Sequence, residues 1–208
     1  MTFVRSLVLV VLLTTVAFAS TKFVSTWASP DAVGVVFAGK TVVALVISQD
    51  DNLRVSAEEA LARELAELGI RGLAAYRVIP REEVRDPEKA RNWFDRSGAA
   101  GVVAMRLVSA DKERTYVPGV WSTPYYSSFW GYYGYGWGAV YDPGYVREDT
   151  VVVIETLVYG VADGKLLWAG VSENTNPKTA GRLLNDLVEE TVKAMRKQGL
   201  GRRLPTPK

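Results

Sequence analysis

The chain has 208 residues with no histidine and no cysteine. This excludes Ser-His-Asp and Cys-His catalysis, imidazole-ligated zinc and disulfide stapling. Its 25 Lys and Arg face 23 Asp and Glu, so charge makes no case for nucleic acid or an anionic membrane as partner.

The N-terminus reads as a secretory signal peptide, residues 1–19: Arg5, an apolar run from Leu7 to Val16, and Ala17-Phe18-Ala19 as a small-x-small cleavage site before Ser20. The run falls well short of the roughly 20 apolar residues that a spanning helix needs. The expected product is exported, cut after Ala19, and periplasmic or outer-membrane-associated. A single α/β domain is expected over 20–198, with a disordered basic tail at 199–208.

Lys22 to Trp27 alternates weakly and predicts a short edge strand, and Val33 to Phe37 a second strand turned at Gly39-Lys40. Thr41 to Ser48 is a β-branched run of the kind found in strands buried on both faces. The next helix is expected to start from a capping box, Ser56 with Glu59, and to end at Gly69, with Ala57, Leu61, Leu65 and Leu68 inward. Leu73 to Ile79 predicts a strand stopped by Pro80. Asp86-Pro87 predicts the N-cap and first residue of a helix that carries Ala90, Trp93 and Phe94 inward and ends at Gly98. Ala100 to Val108 is another buried-type strand.

Between Tyr116 and Tyr145 lie twelve of the 22 aromatic residues, broken by glycine and proline, with Asp142 the only charge. The expectation is a long loop without secondary structure, joining two strands of an antiparallel hairpin and projecting from the sheet end. Its candidate contact residues are Trp121, Tyr125, Tyr126, Phe129, Trp130, Tyr132, Tyr133, Tyr135, Trp137 and Tyr141. Amphipathic rings give large, stiff contact area and are favoured at interfaces. Two bland accounts stand beside this one: the rings fold back on the sheet, or the segment is disordered. With no Lys or Arg, the segment lacks the basic groove of a base-stacking site.

Thr150 to Tyr159 predicts a long strand, Asp163-Gly164 a tight turn and Lys165 to Val171 its partner. In the last helix Asn176 is expected to cap and Pro177 to lead, with Leu183, Leu184, Leu187, Val188, Val192 and Met195 buried before Gly199. The fold class is therefore α/β (α+β): a mixed sheet of five to seven strands with three helices, parallel where crossover helices join strands.

Val42 to Asp51, Thr115-Tyr-Val-Pro118, the Tyr/Gly segment, Tyr141-Asp-Pro-Gly144, Lys165 to Gly170 and Ser172-Glu173 resemble an uncharacterised group of secreted bacterial envelope proteins and lipoproteins. The hairpin Asp163 to Gly170 also resembles one in domains related to the N-terminal domain of TolB and in the curli secretion pore protein. That likeness implies a small envelope α/β fold and no activity. The lipid-attachment Cys of many envelope relatives is absent, with Ser20 at that point.

Chemistry has few other footholds. Gln49-Asp50-Asp51-Asn52 follows the central strand, where ligands of open α/β sheets sit, and reads first as turn formers. Glu155 interrupts an apolar strand and either meets solvent or pairs with a base such as Arg106, the cross-strand ion pair being the favoured account. A carboxylate pair of Glu173 and Asp149 would suit a hydrolase only at the right separation. No Gly-rich phosphate loop opens a helix, and no cofactor or metal is expected. The expectation is a non-catalytic envelope protein, a scaffold or interaction domain whose partner is an envelope protein or the outer-membrane surface. A glycan- or peptidoglycan-binding module is the alternative, and a carboxylate-dependent hydrolase stands behind both.

Overall fold

The computed structural model describes residues 21–111, 128–138, 151–175 and 177–200; the expected signal segment lies outside them. Six strands form one mixed sheet: β1 (Lys22–Ala28), β2 (Thr41–Ile47), β3 (Arg71–Ala74), β4 (Gly101–Asp111), β5 (Val151–Gly160) and β6 (Leu166–Thr175), in the order β1-β6-β5-β4-β2-β3. Among the described residues four helices accompany it: α1 (Asp51–Ala66), α2 (Pro87–Ser97), α3 (Phe129–Gly138) and α4 (Ala180–Lys197). β2 runs parallel to β3 and β4, as crossover through α1 and α2 requires, and the β4-β5-β6-β1 half is antiparallel.

The sheet is covered on both faces, so its middle strands are apolar throughout. Alternate residues of β2 divide between two cores: Val42, Ala44 and Val46 meet α1 and α4, whereas Val43, Leu45 and Ile47 meet α2 and α3. The stripe Leu183, Leu184, Leu187, Val188, Val192 and Met195 of α4 is buried as expected. Leu200 is fully buried too, and its carbonyl accepts the Phe37 N–H at 2.9 Å. The folded body therefore runs past the expected boundary at 198, while 201–208 lie outside the described residues.

α2 fits its sequence signs closely: the Asp86 carboxylate accepts the Glu88 and Lys89 N–H groups, and Gly98 closes the helix at φ 64°. Elsewhere the local signs mislead. α1 starts five residues before Ser56, because Asp50 accepts the Asn52 and Leu53 N–H groups and takes the cap. α4 starts at Thr179, whose hydroxyl accepts the Arg182 N–H, and not at Asn176-Pro177. Val33–Phe37 forms no strand; Val33 is 87% exposed and finds no ladder partner. β3 ends at Ala74, and a 3-10 turn, Ala75–Arg77, replaces the rest of the expected strand.

The largest correction concerns the aromatic segment. Its described part is the helix α3, seated on the sheet face against α2, rather than a loop held away from the body. Ser128 bridges to Lys165, and the Phe129 N–H bonds the Gly164 carbonyl at 3.0 Å. The β5–β6 turn thus fixes where the helix begins.

Candidate functional site

α3 is an unpromising helix by propensity, since each interior glycine costs about 1 kcal/mol relative to alanine. What holds it is its stripe. Phe129, Tyr132, Tyr133, Gly136 and Trp137 fall at i, i+3, i+4, i+7 and i+8 and are all buried. Phe129 packs edge-on to Phe94 of α2 at 4.9 Å and meets Tyr159 of β5 at 5.6 Å between ring centroids. Gly136 lets the helix touch the sheet: a Cβ there would stand 2.6 Å from Ile47 Cδ1. The Tyr133 hydroxyl donates to the Val84 carbonyl. Burial pushes the Tyr132, Tyr133 and Tyr159 hydroxyls above their usual range, and the nearby Glu155 carboxylate adds to the shift at Tyr132 and Tyr159.

Four of the ten expected contact rings are thus core, not surface: Phe129, Tyr132, Tyr133 and Trp137. Trp121, Tyr125, Tyr126 and Tyr141 lie outside the described residues. Trp130 is half-buried with the Arg91 guanidinium over its ring at 4.6 Å, and Tyr135 is exposed. Only these two present ring surface outward from α3.

Beneath α3 lies an ion pair. Arg106 of β4 and Glu155 of β5 face each other across the ladder, with Nε to Oε1 at 2.5 Å and almost no solvent access. Tyr135 lies over the Arg106 guanidinium at 4.9 Å and Tyr132 at 6.0 Å. The pairing expected from strand alternation is present.

A second buried carboxylate escaped the sequence reading. Glu58 of α1 accepts the Val46 N–H at 3.2 Å, the Tyr76 N–H at 2.7 Å and Arg54 Nη1 at 3.5 Å. Its desolvation pushes its pKa up to about 7, against the opposing pull of Arg54. The available signal was its place at i−3 and i−7 from the buried Leu61 and Leu65. Glu58 stands near the carboxyl end of β2, where α/β sheets commonly hold ligands; here its own oxygens take the backbone donors. Asp51 pairs with Arg54 and Arg81, and Asp50 with the α1 backbone. Glu173 sits half-buried opposite Val153, and its expected partner Asp149 lies outside the described residues. No group of three or more metal-ligating side chains occurs among the described residues.

Fold and site together define a one-sheet α/β domain with an aromatic helix clamped over a buried ion pair. No protein-family model and no curated protein matches the chain in sequence. Among solved structures, the PelC dodecamer from Paraburkholderia phytofirmans is 13% identical, with a TM-score of 0.46, over 86% of this chain and 97% of that one. Lipoprotein GNA1162 from Neisseria meningitidis is 19% identical, with a TM-score of 0.38, over 76% and 99%. Likeness of this degree carries no argument about family or function, and nothing in these comparisons supports the TolB resemblance. No helix among the described residues is long and apolar enough to cross a membrane.

Proposed function

We propose that this is an exported cell-envelope protein that works by binding rather than turnover, and that the outward side of α3 is part of its contact surface. One observation carries the reading. α3 is anchored through five buried positions, so Tyr135 and the open edge of Trp130 are held rigid at the surface. Rigid aromatic area ordered before binding loses little further conformational entropy on association. The buried carboxylates support the non-catalytic part: Glu155 is committed to Arg106, and Glu58 to Arg54 and two backbone N–H groups. The N-terminal segment, with its basic start and small-x-small site, supports export.

The test uses the full chain with Trp130→Ala and Tyr135→Ala together. The expected result is a chain that still unfolds cooperatively, at a lower midpoint because Trp130 packs on Phe94 and Phe129, and that has lost the envelope proteins that co-purify with the unaltered chain. Equal recovery by both chains overturns the assignment of this surface. A titration with muropeptides separates the glycan alternative: saturable binding that the double variant abolishes makes the partner a glycan.

A further inference from the structure

We infer that the groove between β1 and the last turns of α4 is a second binding site, on the sheet face opposite α3, and that it takes an acidic peptide segment. The groove measures about 690 Å³ and is lined by Lys22, Phe23 and Thr26 of β1 and by Lys193, Arg196 and Lys197 of α4, with Glu190 the one carboxylate among its lining residues.

A β-bulge builds it. In β1, Phe23 is opposite Ser172 and Ser25 is opposite Val171, so Val24 is an extra residue in the ladder. In an unbroken strand, residues three apart point to opposite faces. The added residue turns Thr26 to the same side as Phe23 and sends Trp27 to the other side. The floor depends on Gly170, where a Cβ would stand 2.4 Å from Trp168 Cη2 and 2.6 Å from Phe23 Cδ1. Only glycine there lets Phe23 and Trp168 meet edge-to-face at 5.0 Å.

The charge of the rim sets the ligand's sign. Lys193 is paired with Glu190 at 2.7 Å, but among the described residues no carboxylate lies within 4 Å of Lys22, Arg196 or Lys197. Arg196 and Lys197 stand on the α4 wall, whereas Lys22 lies across the ladder from Glu173 on the face opposite Phe23, so a ligand that satisfies the rim turns its negative charges toward α4. The apolar floor of Phe23 and Trp168 receives the methylene stems of those acidic side chains. β1 is the outer strand of the sheet, and among the described residues nothing pairs with its outer edge. An extended chain laid there gains backbone hydrogen bonds from β1, directs alternate acidic side chains toward the cationic rim, and meets the exposed Val24 and Trp27 with the others. A second copy docked through the same edge would set two cationic rims together, which disfavours self-pairing. This site stands apart from the α3 surface and does not depend on it.

The experiment is calorimetric titration of the full chain with a synthetic octapeptide alternating Glu and Leu, beside its Gln/Leu counterpart and inorganic phosphate. The expected result is saturable binding of the Glu/Leu peptide alone, weakened at least tenfold by R196E combined with K197E, and weakened steeply by salt. Both positions are exposed, so the fold survives the change. Phe23→Ala should weaken binding further without altering the salt dependence. Absence of saturable binding, equal affinity for the Gln/Leu peptide, or an affinity indifferent to R196E/K197E would each overturn the proposal. Full competition by inorganic phosphate would also overturn it, reducing the groove to an unspecific anion patch.

Discussion

Arg106 and Glu155 are direct cross-strand partners, one on β4 and one on β5, joined by a short hydrogen-bonded ion pair that α3 shields from water. Removing one partner leaves the other charge buried and uncompensated, which typically costs about 3–5 kcal/mol. Arg106→Ala and Glu155→Ala should each lower the urea midpoint strongly. Replacing both by apolar residues, R106M with E155L, should recover most of the loss or exceed the starting stability, because neither charge then needs desolvation. Additive losses in the double variant would show that the pair is not the organising contact.

The division of rings on α3 predicts two classes of effect. Phe129→Ala empties a site packed by Phe94 and Tyr159 and should cost about 3–5 kcal/mol. Tyr133→Phe removes only the hydroxyl bonded to the Val84 carbonyl and should cost about 1 kcal/mol. Tyr135→Ala removes an exposed ring lying over Arg106 and should cost less than about 1 kcal/mol. Chemical denaturation of the three variants measures the ranking, and a large loss for Tyr135 would place that ring in the core.

The competing N-caps of α1 give a direct comparison. Asp50→Ala should cost about 1 kcal/mol, since its carboxylate holds two first-turn N–H groups. Ser56→Ala, five residues into the helix and exposed, should stay within about 0.5 kcal/mol. A reversed order would restore the capping box read from the sequence.

Glu58 makes stability depend on pH near neutrality. Its folded pKa of about 7 lies above the unfolded reference of 4.5. The folded state therefore holds the proton more tightly, and this contribution is fully present below about 4.5. It is lost as pH rises through about 7, by up to about 3 kcal/mol. Unfolding midpoints should fall from pH 5.5 to about 7 and level off above that, and Glu58→Gln should flatten the fall. A wild-type profile rising across the same interval would contradict the assignment to Glu58.

Much of this architecture is local enough to be read from residue order. The β-branched run of β2, the Asp86-Pro87 start and Gly98 stop of α2, and the leucine stripe of α4 each express a short-range preference that the fold leaves intact. The Arg106–Glu155 pair was legible for the same reason, because strand alternation leaves an interior charge few partners. Elsewhere a local sign misled: Ser56 with Glu59 has the pattern of a capping box, but Asp50, read only as a turn former, reaches two free N–H groups and takes the cap.

Other features were decided only by the assembled sheet. Taken alone, the glycine-rich Phe129–Gly138 stretch favours irregular chain; the apolar face shared by β4, β5 and α2 makes it a helix and draws four of its rings inward. Glu58 acquires its raised pKa from Val46, Tyr76 and surrounding apolar packing, none of which is its neighbour in sequence. The cationic groove likewise needs the bulge in β1, Gly170 and the far end of α4 brought together. The sequence settles hydrophobic periodicity because that pattern repeats within a few residues. Burial depends on what the rest of the chain places opposite each residue, and that is fixed only when the sheet and its helices have packed.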